Sequence, residues 1–407
     1  MNKKLMAVAV AGALAMPGLA LAQSSVTISG FFKMGIENIK LGDYNNTSAV
    51  TGAPVRCAPG AACGNNSENR VADNSSRLIF NVAEDLGGGL QAIGQIDNRF
   101  TPDNGAISAT GNTWVGMRSN SWGALTIGRW DIHYGQNASD IVNKAGALKA
   151  ASISLLDYVN VPTATVVGGV VTLGGVGTQA IANATRTPNV IKWQSPNWGG
   201  FDMIAAYTTN PVAATGQESD IQSTVRKGYG WNINPQFTGS NWQVGYSYWS
   251  GKPDNSLADQ VGQNLFGWYK FGGFKIGASF NKSKLKTSDP LAPTNQIDIA
   301  NRDAWSIPVS YTFGPHNILA HYTEARKDKA QDSLGLTDTG AKMFAVAYVY
   351  DLSKRTSVGL TYAQIKNQQN AAYQLFTDSG GILSSDRAAP KAGEDPQLFA
   401  LTMKHAF

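Results

Sequence analysis

The stretch VTISGFFKMGIE, residues 26–37, alternates apolar and polar side chains over the length of a strand. Ile28 and Phe32 lie at even positions, whereas Lys33 and Glu37 lie at odd positions. Successive side chains of a β-strand point to opposite faces, so one face of this segment is apolar and the other is polar. This period of two predicts an amphipathic β-strand.

The same alternation recurs at residues 77–83, 242–247 and 399–404. Between such segments, seven short turns, one of them at residues 235–240, alternate with eight longer polar connections along the chain. Fifteen connections in this order require sixteen strands, with both chain ends on the short-turn side. The sequence therefore predicts an all-β protein, a transmembrane 16-stranded antiparallel β-barrel.

A soluble β-sandwich would explain the alternation equally well, but not the alternation of short turns with long connections. Aromatic residues on the apolar face are expected to form belts where the barrel meets the two membrane surfaces. The residues assigned to these belts are Trp193, Tyr207, Trp242, Tyr248, Trp268, Trp305 and Tyr311.

The amino terminus has the pattern of a signal peptide, with Lys3 and Lys4, an apolar run at 5–15 and Ala-Leu-Ala at 20–22. Residues 1–22 are therefore predicted to be removed on export, and residues 23–407 to form the barrel. Removing the two lysines lowers the formal net charge from +5 to +3. A surface with so small a charge does not favour nucleic acid binding.

The two cysteines, Cys57 and Cys63, are close together in a Gly/Ala/Pro-rich segment, which predicts a disulfide that pins a loop tip. A metal site would need more ligands than this segment offers, so no metal is expected. No phosphate-cradling motif occurs, and no cofactor is expected. The four histidines, His133, His316, His321 and His405, do not suggest a Ser–His–Asp arrangement, so enzymatic activity is not expected either.

Charged residues on the polar face of the strands would line the interior of a barrel and select among ions. Basic candidates outnumber acidic ones, which predicts a mild anion preference. The acids are Glu37, Asp97 and Asp202, and the bases are Lys33, Arg77, Arg99, Arg186, Lys192, Lys275 and Lys404.

Several longer strings resemble a known family, the general porins of Gram-negative bacteria, in particular the branch common in beta-proteobacteria. They span the whole mature chain: SSVTISG (24–30), SSRLIFNVAEDLGGGLQAIGQID (75–97), WVGMRSNSWGALTIGRW (114–130), TPNVIKWQSPNWGGFDMIAAY (187–207), YDLSKRTSVGLTYAQ (350–364) and LTMKHAF (401–407). The resemblance implies an outer-membrane homotrimer, each barrel holding a water-filled channel for passive diffusion of small hydrophilic solutes and ions.

The resemblance also implies that the long third connection, residues 131–185, folds inward and narrows the channel. Asp140 and Asp157 are the acids available on it, and the family's wall arginines correspond to Arg77 and Arg186. A further wall arginine of many members falls near Gly111 here, so a weaker field is expected. Residues 161–184 resemble either an additional hairpin or a flexible flap.

Two more residues are assigned by position. Arg129 lies on the outward face of its strand and is expected to contact a neighbouring subunit. Phe407 resembles the terminal aromatic that the barrel-assembly machinery reads, although the strand pattern also predicts an ordinary lipid-facing residue there.

Lipopolysaccharide is an expected partner. The alternative function is a substrate-specific channel or an adhesin-like barrel, because the long connections could present a binding surface.

Overall fold

The structure, a computed structural model, describes residues 24–41, 67–108, 111–131, 152–167, 170–181, 186–211, 228–253, 258–288, 296–377, 380–381 and 392–407. The predicted signal peptide, Cys57, Cys63 and Asp140 lie outside the described residues. Among the residues that are described, no helix is long and apolar enough to cross a membrane.

Eighteen of the described strands form one antiparallel sheet. These strands are β1 (Ser25–Leu41), β2 (Ser67–Asp73), β3 (Arg77–Gly87), β4 (Leu90–Thr101), β5 (Ala106–Ser108), β6 (Thr113–Ser119), β7 (Gly123–Trp130), β10 (Thr187–Gln194), β11 (Phe201–Thr208), β12 (Tyr229–Thr238), β13 (Trp242–Lys252), β14 (Asp259–Phe271), β15 (Phe274–Ser288), β16 (Gln296–Phe313), β17 (His316–Ala325), β18 (Ala341–Asp351), β19 (Thr356–Asn367) and β22 (Pro396–Ala406).

Smaller elements lie in the long connections. The third connection contains helix α1 (Ile153–Leu156) and a hairpin of β8 (Tyr158–Val167) and β9 (Val170–Ala180), which decides between the two possibilities left open for residues 161–184. Helix α2 (Lys329–Ser333) follows β17, and β20 (Phe376–Thr377) pairs with β21 (Gly380–Gly381).

The sheet closes on itself, because β1 pairs with β22 from Phe31 opposite Ala406 to Leu41 opposite Pro396. The strands β2 and β3 both pair with β1 and together form one membrane-crossing segment of the barrel. The strands β5 and β6 both pair with β4 and likewise form one such segment. Eighteen strands therefore give sixteen crossings. The predicted sixteen-stranded antiparallel barrel is confirmed, with seven short turns at one end and eight longer connections at the other.

The final strand shows how the two faces of the barrel differ. Phe399, Leu401 and Met403 are about half exposed on the outside, whereas Leu398 and Ala400 are fully buried on the inside. A chain that alternates in this way presents an apolar surface to lipid and keeps its other face for the interior.

Two expectations about strand residues were wrong. Trp268 faces inward rather than outward, and its indole Nε1 donates to Gln243 Oε1 at 2.8 Å, since a buried indole N–H needs an acceptor. Pro235 was placed in a turn, but it lies inside β12 opposite Met203. The pairing of β12 with β13 passes over Asn234 and Pro235, because proline has no N–H to donate.

Candidate pore lining

The inner wall carries small polar side chains that bond to one another across strands. Asn264 on β14 and Asn281 on β15 are direct neighbours, and the Asn281 amide donates to Asn264 Oδ1 at 2.8 Å. Ser283 donates in turn to Asn281 Oδ1 at 2.8 Å. Ser306 and Thr323 make a similar pair at 2.8 Å between β16 and β17. These side chains are buried, so each polar group finds its hydrogen-bond partner on the neighbouring strand or along its own.

Two arginines of the inner wall are direct neighbours, since Arg77 on β3 lies opposite Arg99 on β4. Like charges in this position repel each other. The almost fully buried carboxylate of Asp97 lies between them, accepting from Arg99 Nε at 2.9 Å and Nη2 at 3.0 Å. The same carboxylate is 4.0 Å from Arg77 Nη1. One acid therefore holds two cations in place.

A turn in the wall supplies a second acceptor to both guanidinium groups. Between β2 and β3 the chain turns at Ser75, whose φ is 67°, while the Asp73 carboxylate accepts the N–H groups of Ser75 at 2.8 Å and Ser76 at 3.0 Å. The hydroxyl oxygen of Ser75 accepts from Arg77 Nη2 at 3.0 Å and from Arg99 Nη1. The break between the two strands thus orients the arginines.

The position near which the resemblance implies a further arginine is occupied by a glycine that touches Asp97. Gly111 donates its N–H to the Asp97 carbonyl at 3.1 Å, and a Cβ at Gly111 would overlap the Asp97 carboxyl group. A side chain there would displace the acid that links Arg77 and Arg99. Glycine rather than arginine at this position therefore leaves the space that the shared Asp97 carboxylate occupies.

Arg186 completes a set of three cations, here called the arginine cluster: Arg77, Arg99 and Arg186. Both Arg77 and Arg186 lie near enough to Arg99 to repel its charge. Lys33 lies beside this cluster, since its N–H donates to Ser76 Oγ at 2.9 Å and its side chain is fully buried.

Lys192 is not part of the arginine cluster. Lys192 lies opposite Thr126 of β7 and Thr187, next to Arg186, lies opposite Trp130, so four residues of β7, or about 13 Å, separate the two levels. The Lys192 Nζ lies 3.4 Å from the centroid of the Trp130 ring, nearer the short-turn end. Arg129 faces the opposite side of β7 from Trp130. The charges that act on Arg129 are those of Arg186 and Asp131.

The described part of the third connection packs against the inner wall on β16, β17 and β18. Leu155 and Leu156 of α1 are fully buried in a cluster with inward residues such as Leu319 and Met343. The fully buried Arg302 of β16 donates to the carbonyl oxygens of Leu155, of Leu156 at 3.0 Å and of Tyr158 at 2.7 Å. This guanidinium anchors the segment to the wall.

Asn160 ties the same segment to two other long connections. Its amide donates to the Asn370 carbonyl at 2.7 Å and to Gln331 Oε1 at 3.3 Å, and its Oδ1 accepts from Ala372 N at 3.1 Å. Its own N–H donates to the Tyr373 hydroxyl at 3.3 Å. The third connection, the one after β17 and the last one thus form a single packed unit.

Buried phenols in this unit stay neutral. Burial raises the pKa of Tyr158, and the neighbouring Asp157 carboxylate raises it further. Burial also raises the pKa of Tyr373, despite the opposing effect of the Arg302 guanidinium. Asp157 itself is fully buried, and its carbonyl accepts the Ile181 N–H at 2.7 Å, which holds the base of the β8–β9 hairpin.

Comparison with known proteins identifies the family. The family model described as Gram-negative porin matches residues 7–370. The chain belongs to this porin family. Among its relatives, outer membrane porin protein 32 of Delftia acidovorans is 24% identical over the full length of both chains. An outer membrane porin of Bordetella pertussis is also 24% identical, covering 90% of this chain and 95% of the relative.

Solved structures agree with the fold of this porin. The anion-selective porin from Comamonas acidovorans matches with a TM-score of 0.67 and 19% identity, covering 95% of this chain and all of that one. The trimer form of OmpT from Vibrio cholerae matches with a TM-score of 0.60 and 12% identity, covering 94% and 99%. The protein is therefore a multi-pass β-barrel of the Gram-negative outer membrane, and its short turns face the periplasm.

Sequence reasoning missed the residues that hold the third connection of the porin. Asn160 gave no signal, because its partners lie more than 170 residues away along the chain. Arg302 sits at an inward position of β16, so the alternation of that strand could have marked it as a charge inside the barrel.

We predict that Arg302→Met loosens the segment 152–160. Three backbone carbonyls would lose their charged donor, and a buried polar group left unpaired costs about 1–3 kcal/mol. Hydrogen exchange by mass spectrometry should show faster exchange in peptides covering 152–160, with the barrel strands unchanged. The exposed Arg326 provides the control, because Arg326→Met should leave exchange as in the wild type. Equal protection in both variants would contradict the anchoring role.

Proposed function

We propose that this porin is a passive diffusion pore for small hydrophilic solutes with a mild preference for anions. The arginine cluster carries the proposal, because it brings three cations together on the inner wall: Arg77 and Arg99 share the carboxylate of Asp97, and Arg186 lies near Arg99. A positive site between low-dielectric walls raises the local concentration of anions. Lys33, beside the cluster, adds to the same charge.

The third connection is proposed to narrow the channel opposite these cations. Support comes from Arg302 and from the buried pair Leu155 and Leu156, which keep the segment on the wall of β16 to β18 rather than outside the barrel. Its acid Asp157 is proposed to border the constriction, as is Asp140, which lies outside the described residues. The relative from Comamonas acidovorans is named anion-selective, which is consistent with the same preference here.

The anion preference predicts the sign of a zero-current potential. In planar bilayers with a KCl gradient, the wild-type porin should pass chloride in preference to potassium. Arg99→Gln should lower the permeability ratio by roughly twofold, and Asp97→Asn should raise it by a similar factor, since screening within about 8 Å limits each charge to a modest effect.

Arg355 offers the control for these variants, because it is exposed in a short periplasmic turn, away from the arginine cluster. Arg355→Gln should leave the permeability ratio unchanged. A wild-type pore that prefers potassium, or one in which Arg355→Gln has the same effect as Arg99→Gln, would contradict the proposal.

A homotrimer is proposed from the uneven distribution of outward aromatic residues. On β10 to β19, tyrosine and tryptophan face outward, among them Trp231, Tyr269 and Tyr348. On the described residues of β1 to β7, no tyrosine or tryptophan faces outward, and aliphatic residues such as Ile96 and Ile127 are about half exposed there. Tyrosine and tryptophan mark the surface that meets the lipid headgroups, so the arc from β1 to β7 is the one suited to contact other copies.

Arg129 lies at one edge of this arc. Its guanidinium Nε is buried and has no hydrogen-bond acceptor among the described residues. An acceptor on a neighbouring copy would satisfy it, which supports the predicted role of Arg129 as a subunit contact. The trimer form of OmpT from Vibrio cholerae offers a precedent for such an assembly in a barrel of similar fold.

A charge on the outward face of the arc from β1 to β7 is predicted to dissociate the trimer. Ile96→Arg should shift the protein from trimer to monomer on unheated electrophoresis, because a buried charge at a subunit interface is costly. Leu360→Arg is the matched control, since an outward arginine at mid-membrane costs a similar amount, about 2–4 kcal/mol, without touching the arc. Dissociation by both variants alike, or by Leu360→Arg only, would contradict the proposed interface.

The remaining partners are proposed from the outer surface and the chain ends. Lys342 and Lys366 lie opposite each other on the outward face near the extracellular rim. The two cations repel each other, and a lipopolysaccharide phosphate bound between them would relieve this repulsion. Phe407, whose N–H donates to the Gly30 carbonyl at 3.1 Å, is proposed as the residue read by the barrel-assembly machinery. Residues 1–22 are proposed to be removed on export.

A further inference from the structure

A cavity of about 560 Å³ opens in the inner wall near the periplasmic end, among residues of β4, β6, β7, β10 and the turn after β10. Its volume falls within the range of small-molecule sites. The apolar part of its lining comes from Ile93, Trp114 and Trp130, and the cations are Arg118 and Lys192. Solutes that pass the arginine cluster from outside would reach this cavity next.

Two stacked indoles form the floor of the cavity. The ring centroids of Trp114 and Trp130 are 5.3 Å apart and their planes differ by 15°. The Trp130 Nε1 donates to Thr126 Oγ1 at 2.7 Å, which fixes the ring on the wall. Gly128 lies opposite Trp114 with a φ of 148°, and a Cβ there would come within 2.9 Å of the Trp114 side chain. Only glycine allows this close approach.

A positive charge adjoins the indole surface. The Lys192 Nζ lies 3.4 Å from the centroid of the Trp130 ring and 3.4 Å from Gln194 Oε1. Among the described residues, its close partners are thus a ring face and an amide, and the Asp131 carboxylate acts on it from further away. A buried ammonium with only neutral close partners favours an anion beside it.

A second cation, Arg118, also lines the cavity. Arg118 on β6 donates to Gln91 Oε1 from Nε at 3.2 Å and from Nη2 at 2.6 Å, which orients its guanidinium along the wall. The strand register places Arg118 opposite Ala124, and Lys192 opposite Thr126 on the other side of β7. Their backbones are therefore about 10–12 Å apart, and Trp114 and Trp130 lie further along the same strands, toward the third connection.

We propose that this cavity is a binding subsite for aromatic carboxylates. The ring of such a solute packs against the part of the Trp114–Trp130 pair that the Lys192 ammonium leaves uncovered, and its carboxylate meets that ammonium with Arg118 nearby. Chloride and short aliphatic acids lack the flat apolar surface and gain only the charge. The proposal rests on the proposed function, because the cavity is reached through the same channel, and it names a solute class for that channel.

The test is block of ionic current in planar bilayers, with sodium benzoate as the probe and sodium acetate as its match in charge. Benzoate should reduce the KCl conductance of the wild-type porin in a saturable way, and acetate at equal concentration should not. Lys192→Met and Trp130→Leu should each weaken the apparent benzoate affinity by about tenfold, as expected for one lost charge-assisted or stacking contact.

Lys275 gives the matched control, since its Nζ lies 4.2 Å from the centroid of Trp268, another inward indole outside the cavity. Lys275→Met removes one lumenal charge and should leave benzoate block unchanged. Should Lys192→Met fail to insert, the exposed Arg118 replaces it, and Arg118→Gln should weaken the block.

Two outcomes would overturn the subsite: equal block by benzoate and acetate, or equal loss of block in Lys275→Met and Lys192→Met. The zero-current potential in a KCl gradient, measured on the same membranes without benzoate, keeps the two proposals apart. A chloride preference that persists without benzoate block refutes the subsite only. A pore that lacks the chloride preference refutes the proposed function.

Discussion

The structure depends on closure of the sheet between its first and last strands. In lipid, no water is available to backbone groups, so every N–H and C=O that crosses the membrane must find a partner within the protein. The pairing of β1 with β22 removes the last free edge and fixes which side chains of each strand face inward. The polar wall, the arginine cluster and the cavity beside Trp130 are all consequences of that one assignment of faces.

Much of the fold was predictable because its determinants are local. An amphipathic strand shows its period in any ten residues, and the order of turns and long connections gives the number of crossings without knowledge of their pairing. The same parity placed Arg77 and Arg99 inside the barrel, where the structure makes them direct neighbours. Parity also placed Lys192 inside, but could not tell that it lies far from the arginines, on the indole of Trp130.

The rest could not be predicted because it depends on residues distant in sequence. Arg302 reaches carbonyl groups about 145 residues earlier, and Asn160 joins two connections that follow it by more than 170 residues. The sharing of Asp97 between two arginines needs the turn at Ser75 and the bare backbone of Gly111, which no periodicity reveals. Trp268 was assigned to the apolar, lipid-facing parity of its strand, whereas its N–H bonds to Gln243 within the barrel.

A closed barrel with a polar wall, and with cations at the proposed constriction, acts as an open path for water and ions. The measurement that tests this most directly is single-channel conductance in planar bilayers as a function of KCl concentration. The account predicts discrete openings whose conductance rises in proportion to salt over a wide range, as bulk electrolyte does. Insertion without conductance steps, or a conductance that saturates at low KCl, would contradict a water-filled diffusion pore.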